Sequence, residues 1–207
     1  MHRIAPVLIA IAAVACSDQT GPAPDESNQA PSFTVTSSPR YSGRAVAAQA
    51  IVSGFTTKLV EAGPLPSNGG TQSASLPSAS VPGVLTASTL NASVDGRFRR
   101  SISSASTGAF KLTAGGNTIS GTKVSSTAKA ECYNRTSGSS SVASLTINGA
   151  PVSVTSAPNQ TFTLPNAKVV FNEQTRASGR ITVVGLHVIL TSGPDVQLSR
   201  AEAGLIC

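Results

Sequence analysis

The chain has 207 residues, room for one domain with a real core plus a tail, and its 40% hydrophobic and 12% charged content excludes a wholly disordered polymer. With no Trp, one Met and 4% aromatics, the core has to be assembled from Val, Leu, Ile and Ala. The formal net charge of +6 raises nucleic acid or an anionic membrane as a partner; apart from Arg97, Arg99 and Arg100 the basic residues are scattered, which counts against both, and with stacking aromatics scarce nucleic acid is set aside.

The N-terminus, MHRIAPVLIAIAAVAC, pairs Arg3 with an apolar run from Ile4 to Val14 that is too short for a permanent span, the form of a secretory signal over residues 1–15. Its end, Ala13-Val14-Ala15-Cys16, resembles a bacterial lipobox, which implies lipidation of Cys16 and attachment to a membrane through that lipid. Ala13 stands where leucine is commoner, and cleavage at an A-x-A site with secretion is the alternative. Residues 16–39 continue as a Pro/Ser-rich spacer without apolar periodicity, expected to be disordered. Ser17 after the cysteine, where aspartate favours inner-membrane retention, points to an outer-membrane lipoprotein, periplasmic or surface-exposed.

Residues 40–207 read as one all-β domain, a sandwich of antiparallel sheets, because short apolar segments alternate with Gly, Pro and Asn turns. GRAVAAQAIVSGF and residues 84–94 open it, separated by residues 62–83, a Pro- and Gly-rich long loop or edge. Over residues 123–132 the alternation is strict: Val124, Ser126, Ala128, Ala130 and Cys132 share one face. A hairpin follows, with Ala143, Leu145 and Ile147 inward, a turn at Asn148-Gly149, and Val152 and Val154 returning. Segments 161–165, 168–174 and 180–190 continue the series, the last apolar on both parities and so expected to be central and covered on both faces. The final strand places Ala201, Ala203, Leu205 and Cys207 on one parity. With Cys16 assigned to the anchor, the even pair Cys132 and Cys207 is expected to form a disulfide in an oxidising compartment, with Cys16 as the alternative partner.

The NG turn, Ala157-Pro158-Asn159, Leu164-Pro165, Asn172-Glu173-Gln174, the Leu186-His187-Val188 strand and the two closing cysteines together resemble the choice-of-anchor P family over residues 44–207. The resemblance implies an exported, β-rich bacterial surface domain of uncharacterised role, with no catalytic residues to carry over. Many of those relatives carry a C-terminal anchor; here anchoring is expected at Cys16.

Several polar residues are candidates for chemistry. A hydrolase would pair His187 with Asp195 and a serine, but no nucleophile elbow accompanies them, and a hydrogen-bonded structural histidine is the preferred reading. No metal cluster or cofactor motif is evident; calcium at Asp95 or Asp195 is the metal alternative. Asn172, Glu173 and Gln174 are read either as a ligand grip or as a turn-satisfying triplet. Arg97, Arg99 and Arg100 follow an Asp95-Gly96 turn signal and either meet an acidic ligand or guard a strand edge. The expected function is that of a non-enzymatic, lipid-anchored envelope domain, structural or adhesive, with binding to an envelope glycan or protein partner as the alternative.

Overall fold

In a computed structural model, residues 38–191 and 193–207 are described. Residues 1–15, read above as an export signal, Cys16 and nearly all of the 16–39 segment expected to be a spacer lie outside them.

The described residues form fifteen strands and no helix. In chain order these are β1 (Arg40–Val52), β2 (Phe55–Ala62), β3 (Gly70–Val81), β4 (Leu85–Arg97), β5 (Arg100–Thr107), β6 (Phe110–Ala114), β7 (Asn117–Gly121) and β8 (Lys123–Glu131). Then come β9 (Arg135–Ala143), β10 (Thr146–Ile147), β11 (Ala150–Pro151), β12 (Gln160–Leu164), β13 (Ala167–Ala177), β14 (Arg180–Leu190) and β15 (Asp195–Ile206). One sheet runs β12-β13-β14-β15-β1-β2. The other runs β11-β10-β7-β6-β4-β5-β8-β9, with β3 on the free side of β4. All pairings are antiparallel, and apolar side chains of the two sheets meet in a sandwich core, as the composition requires.

A crease crosses the six-stranded sheet. The ladders run in constant register on both sides of Asn172 in β13, Gly185 in β14, Ser199 in β15, Ala47 in β1 and Val60 in β2, but those residues interrupt the pairing. Asn172, Ser199 and Val60 have φ of 49°, 55° and 63°, the left-handed region that a β-branched residue rarely enters. Side-chain parity reverses there: β14 turns Ile181 and Val183 inward on one side of the crease and Leu186, Val188 and Leu190 on the other. β15 does the same with Leu205, Ala203 and Ala201 against Leu198 and Val196. The reversal follows the sequence, because an uncreased strand with a two-residue period would turn one of these apolar sets to water. Gly185 is required by close approach as well, since a Cβ there would lie 2.5 Å from Val124 Cγ1 in the facing sheet.

The two sides of the crease are packed differently. Above it, toward the β1–β2 turn, Phe110, Leu112, Ile119, Phe171, Leu186 and Leu198 fill a bulky core, with Phe162 edge-on to Phe171. Below it eight alanines, among them Ala45, Ala92, Ala128, Ala130, Ala201 and Ala203, share the inward positions with six larger residues, Leu65, Val94, Cys132, Ile181, Val183 and Leu205. Buried hydroxyls tie the sheets together in and below the crease: Ser101 Oγ donates to Ser42 O at 2.8 Å, Ser199 Oγ to Val124 O at 2.9 Å, and Ser103 Oγ to Glu202 O. Cys132 and Cys207 are bonded at this lower end, with Cα atoms 5.6 Å apart, closing a 75-residue separation.

Three expectations change, and for residues 62–83 the edge alternative holds. Ala143 is exposed: β9 turns Val142 toward the core instead, and Ser144, at φ 52°, resets the chain before Leu145 and Ile147 enter it. Asp95-Gly96 lies within β4, and the tight turn comes later, at Phe98-Arg99, because Arg97 pairs with Arg100. Residues 62–83 contain the twelve-residue edge strand β3, whose ladder skips Pro77, a residue without an amide hydrogen to donate. β14 is central, but its mixed apolar parity arises from the crease; its outward Thr182, Val184 and His187 border an open groove.

Candidate functional site

The outward face of the six-stranded sheet carries a groove of about 250 Å³ around His187. The crease assembles it. β13 pairs Val170 with His187 and Glu173 with Val184, so without parity reversal at Asn172 the Glu173 side chain would point inward. Turned outward, Glu173 Oε2 lies 2.6 Å from His187 Nδ1, while Asp195 Oδ1, from β15, lies 2.9 Å from Nε2. Gln197 Nε2 stands 3.4 Å from the same Nε2, and Arg200 lines the groove while paired with Glu202.

His187 is 8% exposed. Burial by itself opposes its protonation, but hydrogen bonds to Asp195 and Glu173 and the charges of both carboxylates outweigh it and raise the pKa from 6.5 to about 9. The bond from His187 in turn holds Glu173 below the ordinary carboxylate value. The stable form at neutral pH is therefore an imidazolium donating from both nitrogens, a charged clasp joining β13, β14 and β15. In a Ser-His-Asp arrangement one imidazole nitrogen must be free to accept the serine proton; here each faces a carboxylate.

The other candidate residues are dispersed. Asn172 is buried and donates to Ser156 O at 2.8 Å. Gln174 turns to the inner side, where its Nε2 donates to Gly138 O at 3.1 Å and to Asn172 Oδ1 at 2.9 Å. The triplet thus splits, two amides satisfying backbone and each other while Glu173 alone faces the groove. Asp95 Oδ2 pairs with Arg97 at 2.7 Å, so both aspartates weighed as calcium ligands already face cationic partners. Arg97, Arg99 and Arg100 lie at the lower end around the β4–β5 turn, away from His187; Arg99 Nε approaches Cys132 Sγ at 3.3 Å.

A second surface was not anticipated. On the outward face of the larger sheet, the register aligns Ser73, Ser93, Ser104, Thr127 and Ser139 in one row across β3, β4, β5, β8 and β9. Ser75, Asn91, Ser106, Ser125 and Ser141 form the next row. Together they line most of a trough of about 590 Å³, with neighbouring hydroxyls in contact at Ser104–Thr127 (3.2 Å) and Ser125–Ser141 (2.8 Å). The clue available in the sequence was serine recurring at every second position.

No protein-family profile, curated protein or solved structure matches this chain.

Proposed function

We propose that this protein is a non-enzymatic, lipid-anchored domain of the bacterial envelope, exported through residues 1–15 and held at the outer membrane by a lipid on Cys16. The observation that carries the reading is the Cys132–Cys207 bridge, a fastener suited to an oxidising compartment, in a chain whose first sixteen residues have the form of an export signal ending in cysteine. The resemblance to the choice-of-anchor P family points the same way. The His187 clasp supports a structural rather than a catalytic role, since both ring nitrogens are spent on holding three strands together. The domain then serves as a rigid body displayed at the envelope, structural or adhesive in use. Intact mass of protein extracted from membranes tests the anchor: a diacylglyceryl or triacyl adduct on Cys16 is expected, and a mature chain beginning at unmodified Cys16 or Ser17 would refute it.

The hydroxyl rows favour a second reading, a binding module for an envelope glycan, because paired hydroxyls and the Asn91 amide offer donors and acceptors over an extended face. Replacing Ser104 and Ser106 with valine should then abolish retention on immobilised cell-wall polysaccharide while leaving the melting temperature within a few degrees.

A further inference from the structure

The lower end of the sandwich combines charge, exposed aromatics and backbone strain in one place. Two hairpin tips stand side by side there, Phe98-Arg99 between β4 and β5 and Tyr133-Asn134 between β8 and β9. Both turns need positive φ at both central residues, a geometry that ordinarily selects Asn and Gly, yet Phe98, Arg99 and Tyr133 adopt φ of 51°, 58° and 67°. Phe98 and Tyr133 are each 85% exposed, and Ile206 beside them is 62% exposed. The tips thus accept backbone strain in order to present aromatic rings to the outside, the pattern that marks a contact surface.

Arginine surrounds these rings. The tips enclose an open dish of about 480 Å³ lined by Phe98, Arg99, Arg100, Cys132, Tyr133 and Arg135, together with Glu131. Arg97 sits 5.9 Å from the Phe98 ring centroid. The carboxylates here are already matched, Asp95 by Arg97 and Glu131 by Lys129, whereas Arg99, Arg100 and Arg135 make no ion pair among the described residues. Arg40 and Arg180 add exposed charge at the same end, one opposite Ile206 and the other opposite Gly204 in the β15 ladders. Lys111, Lys123 and Lys168 lie in the upper half instead.

We propose that this arginine-and-aromatic end is a docking surface for an anionic lipid membrane, its guanidinium groups meeting headgroup phosphates while Phe98, Tyr133 and Ile206 enter the interfacial layer. Guanidinium suits phosphate through its fixed fork of donors, and aromatic rings settle where apolar and wet layers meet. The first strand enters the domain at this end, at Arg40, which would face the membrane if the chain is tethered from Cys16. The proposal rests on the envelope reading for the presence of a membrane, but does not require the lipid on Cys16.

The test uses the full chain carrying Cys16→Ser, which removes the acylation site, in co-sedimentation with vesicles of phosphatidylglycerol and phosphatidylcholine or of phosphatidylcholine alone. Binding to the anionic vesicles, weakened by salt, is expected. Arg99→Gln, Arg100→Gln and Arg135→Gln together should weaken it about a hundredfold, at roughly fivefold per arginine. The Phe98→Ser, Tyr133→Ser pair removes only exposed rings and should weaken binding with the melting temperature unchanged; it remains decisive if the arginine variant folds poorly. Lys111→Gln, Lys123→Gln and Lys168→Gln together should have the smaller effect. Equal binding to neutral vesicles, equal losses from the lysine and arginine variants, no loss from the aromatic pair, or binding to heparin or an RNA oligonucleotide without vesicle binding would each overturn the proposal. The anchor is judged separately by intact mass, so its failure and this one are distinguishable.

Discussion

Above the crease the sheets are held apart and together by volume: Phe171 is fully buried among Leu186, Leu198 and Ile119, and burial of such side chains stabilises by roughly 1.5–3 kcal/mol each. Below it the buried volume is smaller, with eight alanines beside Leu65, Val94, Cys132, Ile181, Val183 and Leu205. Alanines bring the sheets close, and serine hydroxyls, a disulfide and glycines at contact points replace what larger side chains supply above. A bulky core tolerates rearrangement better than a close-packed seam of small residues, because in the seam any added atom meets backbone or a branched side chain.

Five experiments break or sharpen that contrast, from the largest effect down. Phe171→Ala should destabilise the upper half by about 3–5 kcal/mol in a denaturant titration, the usual cost of a large cavity. Removing the bridge with paired Cys132→Ser and Cys207→Ser should cost about 4 kcal/mol, from the loop entropy of the 75-residue separation, with faster hydrogen exchange at the end of β15 than in β14 above the crease. The His187 clasp binds its proton more tightly folded than unfolded, so its contribution is complete below about pH 6.5 and disappears as pH rises through about 9. The melting temperature should fall over that window, by the equivalent of up to about 3 kcal/mol, and His187→Gln should flatten the slope. Gly138→Ala places a Cβ 2.4 Å from Val183 Cγ2 and 2.9 Å from Ile181 Cδ1, and should cost about 1–3 kcal/mol by overpacking the seam. Ser103→Ala, which removes one hydroxyl tie to Glu202 O, should cost about 1 kcal/mol in the same titration.

How far these features were legible in the sequence depends on which residues face inward. The strand over 123–132 was clear because Val124, Ala128 and Ala130 alternate with polar residues, and the 180–190 segment because seven of its eleven positions are aliphatic. Of β5 only the start was legible, at the arginine cluster after Asp95-Gly96, because three of its inward positions, Ser101, Ser103 and Thr107, carry hydroxyls where a core residue is expected; β6 and β7, five residues each, escaped. Alternation also assumes an unbroken pleat, so the reversal at Asn172 hid the meeting of Glu173 with His187 although both had been singled out. His187 with Asp195 was easier, since the two lie on adjacent strands with no reversal between them. The disulfide needed only the count of cysteines and the parity of two strand ends.

The position of β1 has a mechanical consequence. It begins at Arg40, at the lower end, and lies between β15 and β2, paired with β15 from Arg40↔Ile206 to Ile51↔Asp195. A pull on the chain at Arg40 along the strand axis loads these ladders in shear, so their hydrogen bonds must yield together instead of opening one at a time. The neighbouring strand that would slide with it is pinned to the opposite sheet through Cys207 and Cys132. A tether attached ahead of Arg40 would therefore draw on the stiffest direction of the sandwich.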